Sequence, residues 1–198
     1  MAFGFYFDMT RCVGCRACQV ACKDKNNLEI GTILRTAKTY EVGEFPKVNM
    51  YNYASTCNHC ENPACVAACP VGAMYKAADG TVIHDVDMCV GCQACIKACP
   101  YSVPQFVAEQ SKVRKCDGCA ALRAKGENPV CVDACPSRAL DFGDVEALKA
   151  KYGADLVKDI AILPDSSVTG STTLIKAKAC AFETEYREIG RASCRERV

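Results

Sequence analysis

Short segments of alternating hydrophobic and polar residues recur along the chain, separated by loops rich in cysteine. Three of them carry many aromatic and β-branched residues: FGFYFDMT at residues 3–10, NMYNYAS at 49–55 and TVIHDVDM at 81–88. Such alternation predicts short strands. Residues 17–23 and 93–98 predict single helical turns, and residues 144–152 predict an amphipathic helix with Asp144 as its N-cap. The pattern predicts a loop-rich α+β fold of two ferredoxin-like modules with a short helical C-terminal extension.

Composition and charge narrow the class of protein. Half of the 198 residues are hydrophobic, which predicts a globular protein. The formal charge of +1, with basic residues scattered, argues against nucleic-acid binding. The apolar stretches, such as residues 160–164, are far shorter than the roughly 18 to 20 residues of a membrane helix. We therefore expect no direct membrane span, and the first ten residues show neither a secretory nor a twin-arginine signal.

The last eleven residues, 188–198 (EIGRASCRERV), resemble the translation of a common sequencing adapter. We expect this tail to be non-native and set it aside. Cys194 is set aside with it, and seventeen of the eighteen cysteines remain. Only Cys180 then stands outside the cysteine motifs, and we expect it to be a small buried hydrophobe.

Sixteen cysteines form four groups of four, which repeat one motif with insertions in the even groups. Groups one and three have C-x2-C-x2-C-x3-C spacing, and they are Cys12, Cys15, Cys18, Cys22 and Cys89, Cys92, Cys95, Cys99. Group two, with C-x2-C-x4-C-x3-C spacing, is Cys57, Cys60, Cys65, Cys69. Group four, with C-x2-C-x11-C-x3-C spacing, is Cys116, Cys119, Cys131, Cys135.

This spacing is typical of cubane [4Fe-4S] clusters. A tight C-x2-C-x2-C loop supplies three thiolates, and in the related C-x2-C-x2-C-x3-C-P run the fourth cysteine serves the other cluster of a pair. Paired motifs therefore imply paired clusters. Glycine precedes a cysteine in three C-x2-C loops, at Gly14, Gly91 and Gly118, where it allows backbone N–H groups to turn toward the inorganic sulfur. Proline follows the last cysteine of three groups, at Pro70, Pro100 and Pro136.

Zinc knuckles and a disulfide scaffold are the alternatives for these cysteines. Zinc would leave the third cysteine of each triplet and the fourth cysteines unused. Disulfides would give a triplet at x2 spacing no obvious partner geometry. His59 is expected to lie behind the ligands or at the surface, and His84 to be a strand residue facing solvent. The sequence shows no nucleophile with a base and no glycine-rich nucleotide loop, which indicates an electron carrier without a catalytic site.

Three stretches carry a resemblance to a known family: CNHCENPACVAACPVGAMYK at 57–76, CVGCQACIKACPYSVPQ at 89–105 and CPSRALDFG at 135–143. Over about residues 3–160 the chain resembles the iron-sulfur B subunit of anaerobic dimethyl sulfoxide reductase. The resemblance implies a molybdopterin catalytic subunit and a quinol-oxidising membrane anchor as partners. It also implies a peripheral location on the plasma membrane through those partners, on a side that the sequence leaves open.

The resemblance further implies four ligand sets, which pair group one with group four and group two with group three. Set 1 is Cys12, Cys15, Cys18 and Cys135; set 2 is Cys116, Cys119, Cys131 and Cys22; set 3 is Cys57, Cys60, Cys65 and Cys99; set 4 is Cys89, Cys92, Cys95 and Cys69. One ferredoxin-like module, residues 46–105, is then nested within another, residues 1–45 with 106–143. Residues 144–187 form the C-terminal extension.

Other functions remain open at this point. The B subunits of polysulfide, thiosulfate and tetrathionate reductases are similar, and a free polyferredoxin or a zinc-stapled scaffold would also use these motifs. Respiratory nitrate reductase β subunits resemble the chain too, but they carry Trp at the position of Cys92 and hold a three-iron cluster there. Cys92 therefore favours four [4Fe-4S] clusters.

Overall fold

In a computed structural model, which describes residues 2–189, small sheets and short helices surround the cysteine loops. The strands are β1 (Phe3–Asp8), β2 (Thr36–Val42), β3 (Asn49–Ser55), β4 (Met74–Lys76), β5 (Val82–His84), β6 (Gln105–Val107), β7 (Lys112–Arg114), β8 (Leu140–Asp144), β9 (Leu174–Lys176) and β10 (Tyr186–Ile189). The helices are α1 (Ala17–Lys25), α2 (Ala64–Ala67), α3 (Ala94–Ala98), α4 (Ala120–Arg123), α5 (Val130–Asp133) and α6 (Val145–Tyr152). The predicted loop-rich α+β fold is confirmed.

Strand β1 is the centre of the first sheet. It pairs with β8 in antiparallel and with β9 in parallel orientation. Phe5 and Phe7 are buried in the largest hydrophobic cluster, here called the main core, while Tyr6 stacks on Tyr152 of α6 at 3.7 Å between ring centroids. Both faces of β1 are therefore covered, and the strand carries the chain directly into the first cysteine loop.

The second sheet is built on the β2–β3 hairpin, with β10 on its outer edge. Tyr40, Tyr51 and Tyr53 of the hairpin are buried in the main core. The predicted boundary between residues 45 and 46 therefore falls between two paired strands of one sheet. Glu188 and Ile189, the first residues of the tail set aside above, lie in β10, and residues 190–198 are outside the described residues.

Two short hairpins, β4–β5 and β6–β7, accompany groups two and three. Between them they contribute Met74, Val82 and Val113 to a second cluster, here called the small core, which also contains Cys65 and Cys95. The strand predicted at residues 81–88 ends at His84. Asp85 causes this, because its carboxylate accepts hydrogen bonds from the backbone N–H groups of Asp87 (2.9 Å) and Met88 and makes a turn.

Four of the helices begin next to the third cysteine of a group. Cys18, Cys65, Cys95 and Cys131 lie in the first turn of α1, α2, α3 and α5 respectively. A left-handed residue precedes the helix in the odd groups, Arg16 or Gln93, and a proline precedes it in the even groups, Pro63 or Pro129. Helix α1 packs against α5, and α2 against α3. None of the helices formed by residues 2–189 has the length and apolar character that a membrane span requires.

The C-terminal extension contains the predicted helix and two strands that were not predicted. Asp144 caps α6 as expected, because its carboxylate accepts hydrogen bonds from the N–H groups of Glu146 and Ala147, both at 3.1 Å. Beyond α6, residues 166–173 lie along the loop of group two, and Thr172 N–H donates to the Asn58 carbonyl at 3.1 Å. The extension is therefore not only helical, since it adds β9 and β10 to the two main sheets.

Candidate iron-sulfur sites

Three cavities are each lined by four cysteines. The cysteines that line them are those of set 1 (Cys12, Cys15, Cys18, Cys135), set 3 (Cys57, Cys60, Cys65, Cys99) and set 4 (Cys69, Cys89, Cys92, Cys95). In each cavity, three cysteines come from one group and the fourth from another group.

The cysteines of set 2 are also neighbours. Cys22 of α1 faces group four, and its thiol interacts electrostatically with Cys116, Cys131 and Cys119. Packing of α1 against α5 brings these residues together. The cavity linings thus bring together the cysteines of sets 1, 3 and 4, and Cys22 lies near the cysteines of group four. Cys180, expected to be a buried small hydrophobe, is half-buried against the main core and lines none of the three cavities.

Backbone N–H groups point at several of the cysteine sulfurs. Gly118 N–H donates to Cys116 Sγ at 3.3 Å, and Gly91 N–H donates to Cys89 Sγ at 3.5 Å. Both glycines have positive φ, and a Cβ on Gly91 would lie 2.3 Å from the Ser111 carbonyl oxygen. A side chain is therefore excluded at Gly91 by contact as well as by conformation.

The cysteine–proline turns stabilise two of the fourth cysteines as thiolates. Burial alone would raise the pKa of the Cys69 thiol, but backbone N–H groups of residues 71–74 lower this pKa below its ordinary value. The Cys135 pKa is lowered in the same way, against burial, by the Ser137 hydroxyl and by N–H groups of residues 137–140. Cys22, which Lys23 follows instead of proline, has no such turn, and burial raises its pKa to about 12.

The buried cysteines fit a strongly cationic group. Burial raises the pKa of the Cys57 thiol to about 12 and that of Cys18 to about 11, so both are neutral thiols without a metal. Binding to iron replaces the proton and holds each sulfur as a thiolate. Four convergent sulfurs, enclosing walls and aimed N–H groups together suit a [4Fe-4S] cluster.

The two histidines have different outcomes. His59 is fully buried, which excludes the surface alternative; Val82 N–H donates to its Nδ1 at 3.0 Å, and its Nε2 has no hydrogen-bond partner in residues 2–189. The prediction that His84 faces solvent was wrong. Its Nε2 is shielded, the ring lines the cavity of set 4, and burial lowers its pKa to about 4. The two-stranded β4–β5 sheet packs one of its faces on that cavity, which the alternation alone did not reveal.

Three polar residues near the cysteines were missed by sequence analysis. Thr169 Oγ1 lies 3.1 Å from Cys60 Sγ, although 109 residues separate the two in the chain. Arg35 and Lys115 are buried beside the cysteines of several sets. Nothing local marks Thr169, whereas the adjacency of Lys115 to Cys116 is a signal that the sequence does contain.

Comparisons with known proteins agree with this chemistry. Two family models described as 4Fe-4S dicluster domains match residues 48–145 and 11–73. The B subunit of anaerobic dimethyl sulfoxide reductase from Haemophilus influenzae is 42% identical over 183 residues, 88% of each chain. The corresponding B subunit from Escherichia coli K12 is 42% identical over 185 residues, 89% of each chain. The B subunit of sulfite dehydrogenase from Allochromatium vinosum is 39% identical over 160 residues, 70% of this chain and 67% of that one.

The dicluster matches cover all four cysteine groups and support [4Fe-4S] clusters as the groups that this chain binds. Electron transfer follows from the clusters, since iron-sulfur clusters exchange electrons. The identity and coverage of the first relatives decide the family. This protein belongs to the family of iron-sulfur electron-transfer subunits that includes the B subunit of anaerobic dimethyl sulfoxide reductase.

Proposed function

We propose that the chain holds four [4Fe-4S] clusters, one in each of sets 1 to 4, and passes electrons from a quinol-oxidising membrane anchor to a molybdopterin catalytic subunit. The observation that carries this proposal is that each of three cavities is lined by four cysteines, three from one group and one from another. The proximity of Cys22 to group four supports the remaining set. Each cluster supplies a one-electron couple, and the chain itself positions the couples and shields them from water.

The pairing of helices supports the nested arrangement of two modules. Helix α1 of group one packs on α5 of group four, and α2 of group two packs on α3 of group three. Residues 1–45 with 106–143 would then form the outer module around residues 46–105. Strand β3, however, packs in the main core, and Val113 packs in the small core. The inner module would therefore begin near residue 56 and end near residue 114, instead of at residues 46 and 105.

Exposure of single cysteines supports an electron path with two ends. Among the motif cysteines, Cys15 of set 1 and Cys92 of set 4 are exposed, whereas the others are buried or half-buried. Electron transfer to a partner needs a short distance, so these two sets are the terminal ones. By family resemblance, set 4 lies nearest the membrane anchor, which leaves set 1 for the catalytic subunit. The chain would therefore be peripheral on the membrane through its partners.

Dimethyl sulfoxide is the proposed terminal acceptor because the two relatives at 42% identity are dimethyl sulfoxide reductase subunits. The alternatives are the B subunit of a polysulfide, thiosulfate or tetrathionate reductase, and a free polyferredoxin. A sulfite dehydrogenase subunit is also a relative, so the family serves more than one sulfur substrate. The catalytic subunit chooses the substrate, and the electron carrier is compatible with each.

Two measurements test the proposal. Anaerobically purified chain is expected to contain four iron and four sulfide for each of four clusters, with negligible zinc. Chain recovered with its partners from membranes is expected to bring molybdenum with it and to support oxidation of reduced viologen by dimethyl sulfoxide. Fewer clusters would refute the four ligand sets. Full clusters without a molybdenum partner would instead favour the free polyferredoxin.

A further inference from the structure

Arg35 is a buried cation at the end of the loop that leads into β2. Its side chain is 2% exposed, its Nη1 donates to the Ala54 carbonyl at 3.0 Å, and its guanidinium lies 4.4 Å from the centre of the Phe5 ring. Its Nη2 is buried and has no hydrogen-bond partner within residues 2–189. A guanidinium does not lose its proton in a protein, so the charge is present at all times.

Lys115 is a second buried cation, located between β7 and the first cysteine of group four. It is 6% exposed, and its Nζ donates to the carbonyl oxygens of Val82 and of Cys116, the latter at 2.7 Å. The same nitrogen lies 3.8 Å from Cys57 Sγ of set 3. Lys115 therefore touches ligands of two different sets, Cys116 of set 2 through its carbonyl and Cys57 of set 3 through its sulfur.

Neither cation has a carboxylate partner in the part of the chain that the structure describes. Burying an unpaired charge is costly, so a compensating negative charge is expected nearby. For Arg35, burial lowers the pKa, but Cys131, Cys18, Cys116 and Cys22 more than offset this. For Lys115, the neighbours are Cys57 and Cys65, whose pKa values it lowers against the larger effect of burial. When iron binds and the thiols become thiolates, these cysteines and the cluster they hold would be the negative partners of both cations.

We propose that Arg35 and Lys115 are fixed counter-charges that set the reduction potentials of neighbouring clusters, Arg35 for sets 1 and 2 and Lys115 for sets 2 and 3. This rests on the ligand sets proposed above. A reduced cluster carries one more negative charge than an oxidised one, and a nearby cation in a poorly screened interior favours the more negative state. Each cation therefore raises the potentials of the two clusters it adjoins. Set 4 is expected to shift least, because Lys115 lines the cavity of set 3 and not that of set 4.

The two cations act on overlapping pairs of clusters, and this overlap makes the test specific. In full-length chain with all clusters, Arg35→Gln is expected to lower two of the four potentials and Lys115→Gln also two, with one cluster common to both variants. We expect at least a tenfold change in the ratio of reduced to oxidised cluster at a fixed ambient potential, about 59 mV for a one-electron couple. The measurement is an anaerobic redox titration followed by EPR, after iron analysis of each variant.

Three control variants separate charge from packing. Arg35→Lys and Lys115→Arg keep the charge and are expected to restore most of the shift. Lys97→Gln removes an exposed lysine that lies between Cys95 and Cys99 in sequence, and it is expected to change no potential. If the charge-conserving variants shift the potentials as far as the neutral ones, packing rather than charge is responsible and the proposal fails.

The remaining outcomes distinguish failure of the counter-charge proposal from failure of the ligand sets. Full iron content with unchanged potentials, or an equal shift of all four, overturns the counter-charge proposal and leaves the ligand sets intact. Fewer than four clusters in the unaltered chain instead refutes the ligand sets. If Arg35→Gln loses a cluster, Lys115→Gln decides by itself, and unchanged potentials in that variant overturn the proposal.

Discussion

The main core and the small core hold their cysteine loops in different ways. The main core surrounds its cysteines with large side chains that include Phe5, Phe7, Tyr51 and Tyr53. The small core has five buried residues, and two of them, Cys65 and Cys95, are proposed cluster ligands. Sets 1 and 2 and Cys57 of set 3 therefore pack against large side chains of the main core, whereas set 4 and the rest of set 3 supply much of the small core themselves.

The two cores differ in how much hydrophobic burial can stabilise them. Hydrophobic burial contributes about 25 cal/mol per Å² of apolar surface, so a core of five residues gains little to oppose the loss of chain entropy. Small domains of this kind commonly depend on a metal for their stability. We infer that the inner module depends on its clusters for folding, and that the sheet of β1, β8 and β9 depends on them less.

The largest expected effect is that of removing the clusters. Iron chelation under reducing, anaerobic conditions is expected to abolish hydrogen-exchange protection in β4 to β7 and to leave measurable protection in β1 and β8. The reason is that the strands of the first sheet keep their aromatic packing, while the small core loses the group that links its cysteines. Hydrogen exchange followed by mass spectrometry measures both regions in one sample. Equal loss in both, or earlier loss in β1, contradicts the comparison.

A smaller effect is expected from replacing one exposed ligand. Cys92→Ser puts a weak oxygen ligand at one corner of set 4, so we expect one iron to leave and a three-iron cluster to form, with a higher potential and three other clusters intact. EPR of the oxidised protein measures this. In the assembled complex, turnover driven by menaquinol is expected to stop, whereas turnover driven by reduced viologen continues.

Cys15→Ser is the matched variant in set 1, since Cys15 is the exposed second cysteine of group one. It is expected to give a three-iron signal as well, but to leave exchange protection in the small core unchanged. Equal loss of both turnover assays in Cys92→Ser, or no three-iron signal, would place Cys92 outside set 4.

Methionine offers a matched pair for the small core itself. Met74 is 2% exposed there, whereas Met50 of β3 is 51% exposed. Met74→Ala is expected to reduce the local unfolding free energy by about 2 to 5 kcal/mol, because it leaves a cavity between the ligands. Met50→Ala is expected to change it by no more than about 0.5 kcal/mol. Exchange rates of β4 and β5 in the cluster-loaded protein give both values, and similar effects would show that the small core contributes little.

Sequence analysis found the features of the fold that are local. The cysteine spacing, β3 at residues 49–55 and the helix capped by Asp144 each depend on neighbours within a few residues, and the structure has them at the expected positions. Strands β2, β4, β6, β7, β8, β9 and β10 were not predicted. Strand β9, for example, has three residues and exists because β1 provides an edge for it. Its pairing depends on distant residues, and periodicity does not report such pairing.

The same distinction applies to the sites. The sixteen cysteines were identifiable because their type and spacing carry the chemistry. Arg35 was not, because a lone arginine in GTILRTAK has no local property that distinguishes a buried cation from a solvated one. His84 was misjudged for a related reason: alternation in a two-stranded hairpin says that one face is covered, but not which neighbour covers it.

The smallest expected effect is that of deleting residues 188–198, of which the described residues, Glu188 and Ile189, belong to neither core. Glu188 and Ile189 pair with Tyr40 and Thr39 at the outer edge of β2, and Glu188 Oε2 lies 2.7 Å from Lys38 Nζ. Both of these charged side chains are about one third exposed, so the ion pair contributes at most about 1 kcal/mol. Iron content and the thermal midpoint are therefore expected to stay unchanged.

A longer deletion from residue 186 serves as the comparison, because it also removes Tyr186, whose ring contacts the buried Tyr40 at 5.8 Å between centroids. That deletion is expected to lower the thermal midpoint measurably. Iron loss in the shorter deletion would show that the tail, despite its resemblance to adapter sequence, contributes to the stability of the β2–β3 sheet.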